Sequence, residues 1–117
     1  MLASAAPALA QPSAGQALAE AEIEALIAGL GDSGCRFQRN GRWHGAAEAQ
    51  AHLRRKYEWG RRGGEAGSAE AFIDRAASRS SVTGRAYRVS CTGQPEADAA
   101  EWFRARLADL RASTPAR

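Results

Sequence analysis

Cys35-Arg-Phe-Gln-Arg-Asn40-Gly41-Arg-Trp-His44 is the stretch on which the fold turns. Cys35 and Phe37 fall on one side of an alternating run, with Arg39 next in the alternation, and Arg36 and Gln38 fall on the other. Asn40-Gly41 interrupts the run. A two-residue type I′ turn needs positive φ at both central positions, and Asn followed by Gly tolerates this best. The pattern predicts a hairpin with strands at Cys35–Arg39 and Arg42–His44.

Working outward, Ala86-Tyr-Arg-Val-Ser-Cys91 alternates Tyr87, Val89 and Cys91 against Arg88 and Ser90, which reads as a third strand. Apolar residues recur at helical spacing in four places: Ala19, Ile23, Leu26, Ile27 and Leu30; Ala46, Ala49, Leu53 and Tyr57; Ala69, Phe72, Ile73, Ala76 and Ala77; and Ala99, Trp102, Phe103, Leu107 and Leu110. Gly45 opens the second helix, with Glu48 placed as a capping-box acid, and Ser68 suits the N-cap of the third. Gly60 to Gly67 reads as an irregular loop. The expected fold class is α+β: a small antiparallel sheet, hairpin plus one strand, packed by about four helices. Cys35 and Cys91 sit on the apolar faces of two different strands, so strand pairing brings them together as a disulfide.

The first ten residues, MLASAAPALA, are uncharged and small-apolar, and Ala8-Leu9-Ala10 has the small-x-small form of a signal-peptidase site. Residues 1–10 are therefore expected to be the remnant of a secretory signal peptide, 11–16 a linker, 17–112 a single domain and 113–117 a frayed tail. A soluble, periplasmic product is expected, which agrees with an isolated cysteine pair closing as a disulfide. No run approaches the ~20 apolar residues of a membrane-spanning helix.

The formal charge is +3, spread unevenly. From Arg36 to Arg62 eight Lys/Arg face two acids, while the rest of the chain holds eight against eleven. A basic stretch in a near-neutral chain points to an anionic partner; its ordinary counterpart is a solvated helix face. Nucleic acid is not expected, because no zinc-finger spacing or run of base-stacking rings accompanies the charge. No cofactor or metal is expected either, since Cys35, Cys91, His44 and His52 lack a short ligand pairing.

Ser78-Arg-Ser-Ser-Val-Thr-Gly84 crowds hydroxyls after the third helix. No nucleophile elbow surrounds these serines, and they follow a helix C-terminus, whose dipole disfavours anions. They read as side chains that satisfy the last carbonyls and turn the chain. His52 and Lys56 lie one helical turn apart, either as an acid–base pair or as a core-edge histidine and a snorkelling lysine. Arg39 can reach an anion or pair with Asp74. Trp59, beside Arg61 and Arg62, is the tryptophan most suited to an exposed contact.

Taken together, FQRNGRWH, AHLRRKY and AEAFIDRAASRSSVTGRAYRV resemble the YfeK-like family of small exported bacterial proteins, a domain of unknown function. The resemblance implies a periplasmic address and supplies no catalytic residue. Arg39, Asn40, His52, Lys56, Asp74, Ser78, Ser80, Ser81 and Tyr87 match polar positions of that family and are the expected ligand or partner positions. The expected function is a non-enzymatic binding module for an anionic envelope component or a protein. The alternative is a small hydrolase or transferase using His52 with a serine of the 78–81 loop.

Overall fold

Asn40 and Gly41 take φ of 51° and 81°, and the hairpin closes between β1 (Arg36–Arg39) and β2 (Arg42–His44) with Arg39 opposite Arg42. The structure, a computed structural model, describes residues 13–64 and 67–113. The expected signal remnant at 1–10 lies outside them, as do 11–12 of the linker and 114–117 of the tail. β1 also pairs antiparallel with β3 (Arg88–Ser90), and β3 with a fourth strand, β4 (Ala97–Asp98), giving the order β2-β1-β3-β4. A two-residue strand carries no alternation, which is why the sequence pattern shows three strands and the sheet has four. Its anchor is electrostatic: Arg88 donates to Asp98 at 2.6 Å across the pair and to Glu96 at 3.1 Å.

The register pairs Arg36 with Ser90, so Cys35 and Cys91 are the next residues outward. Their Cα atoms are 4.4 Å apart and their sulfurs are bonded. The disulfide is thus a direct consequence of the β1–β3 register.

α1 (Ala14–Gly31) is N-capped by Ser13, whose Oγ accepts from the Gln16 N–H at 3.1 Å. This corrects the expected linker: residues 14–16 form the helix's first turn, exposed and therefore invisible to an apolar stripe. α2 (Ala46–Arg62) runs through Gly60, correcting the loop expected to begin there. Arg61 stacks on Tyr57 at 5.3 Å, and two last-turn arginines suit the helix C-terminus. Gly45 caps α2 without a side-chain bond, and Glu48 contacts His44 instead of closing a capping box.

α3 (Ala69–Phe72) is capped by Ser68 and widens into a π-helical turn over Ile73–Ala77. α4 (Ala99–Ser113) follows β4 directly. Helices α1, α2, α3 and α4 bury Ile27, Leu30, Leu53, Ile73 and Phe103 against Phe37 and Val89 of the sheet. Phe37 meets Trp102 edge-on at 5.3 Å, which locks α4 to the inner sheet face.

Candidate functional site

Tyr87 enters β3 with its backbone held on both sides: its N–H donates to the Ser78 carbonyl at 2.9 Å and its carbonyl accepts from the Ala99 N–H at 2.8 Å. The ring is buried, and the hydroxyl points toward α2. There His52 and Lys56, four residues apart, share one helix face. Lys56 Nζ donates to Tyr87 Oη at 3.2 Å and to the Arg79 carbonyl at 3.3 Å, and lies 5.1 Å from the Tyr87 ring centroid. His52 Nε2 is 3.4 Å from the same hydroxyl, with the two rings edge to face. An ammonium can only donate, so the phenol oxygen accepts from Lys56 and its own proton is directed at His52.

That assignment requires a neutral imidazole, and the surroundings enforce one. Burial, then the charges of Arg39, Lys56 and Arg55, push His52 down from 6.5 to about 4. Burial and Arg39 lower Lys56, while burial raises Tyr87 against the opposing pull of Arg39. Arg39, at the end of β1, is therefore the charge common to all three. Among the described residues no carboxylate pairs with Arg39, Arg55 or Lys56. The described acids that form ion pairs are held by His44, Arg54, Arg88, Arg104 and Arg111.

Three of the four hydroxyls of the 78–84 loop, those of Ser78, Ser80 and Thr83, have structural partners. Ser78 Oγ donates to the Ile73 carbonyl at 2.7 Å and closes the π turn. Ser80 is buried, with 5% exposure; its Oγ accepts from the N–H groups of Val82 and Thr83, each at 3.2 Å, and from Asn40 Nδ2 at 3.4 Å. Thr83 Oγ1 donates to Asn40 Oδ1 at 2.6 Å. Asn40 thus ties the hairpin tip to the serine loop. His52 makes its hydrogen bond to Tyr87 and not to a serine, so the serine–histidine relay is not assembled in these contacts.

Of the residues singled out in the sequence, Arg39, Asn40, His52, Lys56, Ser80 and Tyr87 gather at one end of the sheet. Ser81 lies exposed on the rim of a groove shared with His52 and Lys56. Ser78 turns back on its own helix. Asp74 pairs with Arg104 of α4 at 2.8 Å, so of the two alternatives for Arg39 the pair with Asp74 is not the one formed. The sequence reading missed Thr83 and the Arg79 carbonyl as members; the Thr-Gly turn pair was the only local signal for the first. Among the described residues no three His, Cys, Asp or Glu side chains converge as metal ligands, and no helix is long and apolar enough to cross a membrane.

Residues 17–111 match the model of a family of unknown function, DUF5329. Over 69 residues the chain is 42% identical to the uncharacterized protein YfeK of Salmonella typhimurium, an alignment covering 58% of this chain and 56% of that protein. The chain thus spans just over half the length of the curated relative it matches. No solved structure matches.

Proposed function

We propose that this chain, which belongs to DUF5329, a family of unknown function, is a periplasmic, non-catalytic module that binds an anionic group of an envelope component or protein partner. The observation that carries this reading is the Arg39–His52–Lys56–Tyr87 cluster: cationic and half-buried, with no carboxylate from the described residues among its members. Like charges brought together at a partly desolvated surface repel one another, and a bound anion relieves that repulsion. Arg39 supplies a planar fork and Lys56 a point charge, two complementary ways to hold phosphate or carboxylate oxygens. The Cys35–Cys91 disulfide supports an oxidising compartment.

Inorganic phosphate is the simplest probe. Titrated into the ¹⁵N-labelled protein, it is expected to shift the amides around Lys56 and Tyr87 saturably at low salt. The affinity should fall as ionic strength rises toward about 0.15 M, where screening acts over ~8 Å. Arg39→Gln and Lys56→Gln should each weaken binding about tenfold, the loss of one charge-assisted hydrogen bond. Absence of any saturable shift at low salt overturns the proposal.

A further inference from the structure

Two members of the anion cluster, His52 and Lys56, also line a groove of about 690 Å³ along α2, within the range of about 300–1,000 Å³ typical of small-molecule sites. His52, Lys56 and Trp59 stand at i, i+4 and i+7, so a single helix face presents imidazole, ammonium and indole in a row. Arg55, Gly60 and Ser81 complete the part of the lining that matters here. Among the described residues no carboxylate lines the groove.

Trp59 is 73% exposed and is the only exposed aromatic ring among the described residues. The other two tryptophans are half-buried, and Trp102 packs on the core. An indole left in water beside two cations, at the edge of a groove, leaves a flat apolar face for a ligand. The C–H face of a pyranose ring is apolar and slightly electropositive, and lies well on an electron-rich indole. Ser81 has an exposed hydroxyl that makes no hydrogen bond among the described residues, and sugar hydroxyls are its natural partners. A nucleic acid strand fits less well: strands are held by several rings stacking successive bases, and here there is one.

We infer that the groove takes an anionic sugar, a pyranose whose apolar face rests on Trp59 and whose phosphate or carboxylate meets Lys56 and Arg55. The inference rests on the anion-binding reading above and names its ligand class. Phosphorylated and uronic-acid sugars share this chemistry.

Glucose 6-phosphate, glucuronate, glucose, inorganic phosphate and AMP serve as probes, followed through the Trp59 indole N–H resonance and the amides of Lys56 and Ser81. At least one of the two anionic sugars is expected to move the indole resonance and to bind about tenfold more tightly than phosphate or glucose, the worth of one good ring stack. Which of the two binds identifies phosphate or carboxylate as the charge. Trp59→Ala, at an exposed position that leaves the core intact, should reduce that sugar to the affinity of phosphate. If phosphate binds as tightly as both anionic sugars and Trp59→Ala changes nothing, the sugar inference fails while the anion site stands. If AMP binds as tightly as the sugars, Trp59 is a base platform and the inference is likewise overturned. If no probe binds, phosphate included, both readings fall.

Discussion

His52 is the residue at which the electrostatics of the site can be measured directly. With its pKa held at about 4, the imidazole stays neutral in the native protein at every pH above that value. In the unfolded chain it takes up a proton below about 6.5. Between those limits the unfolded state binds more protons, so stability is fully present above 6.5 and is withdrawn as pH falls toward 4. Glu70, whose pKa is lowered by its bond to Arg111, adds its own loss only below the ordinary carboxylate range, so the upper part of the window belongs to His52. Thermal midpoints should therefore decline from pH 6.5 to 4.5, and His52→Gln should flatten that decline. The His52 Hε1 resonance should titrate near pH 4 and move upward when phosphate is bound; a midpoint near 6.5 in the free protein would contradict the burial and repulsion described here. Ser80 offers a second residue-scale test. Its buried hydroxyl serves two backbone N–H groups and Asn40, so Ser80→Ala should cost about 1–3 kcal/mol in urea denaturation, the penalty for stranding such donors.

Among the elements, what the sequence pattern reveals depends on burial. Ala69, Phe72, Ile73, Ala76 and Ala77 are all buried, as their spacing requires. Yet the same spacing holds whether the turn over 73–77 is α or π, so the widening leaves no trace in the periodicity. The ends of α1 and α2 exceed their apolar stripes because exposed turns need no apolar residue. Strand β4 escapes for the opposite reason: two residues are too few to alternate. The cap at Ser68 is a boundary signal that works, because it acts through one named oxygen. Ser68 Oγ accepts from the Ala71 N–H at 3.1 Å, and Ser68→Ala should lower stability by about 1 kcal/mol without altering the fold. A calorimetric change near zero would mean that packing of Phe72 and Ile73 alone fixes where α3 begins.

For the molecule as a whole, the members of the site were legible as residue types, but their meeting was not. Asn40 was visible as a turn former, and His52 and Lys56 as helix neighbours. Their shared contact with Tyr87 spans 35 and 31 residues, beyond any local pattern. The long-range feature that could be read was the cysteine pair, because two alternating strands gave it a register. Cys35 and Cys91 enclose every residue from Arg39 to Tyr87, so the closed loop contains the whole site. With a separation of 56 residues, the chain-entropy treatment assigns the bond about 4 kcal/mol, acting on the unfolded chain. The native register has its own support in Phe37 packed opposite Val89. The Cys35→Ala/Cys91→Ala double variant should therefore fold to the same structure, with a melting point lower by about 15 °C or more. Below that temperature its phosphate affinity should match the parent's, since the bond limits the unfolded ensemble and touches no group in the cluster. A folded double variant that no longer binds phosphate would instead show that the bond positions the hairpin tip, and the site would then depend on the redox state of its compartment.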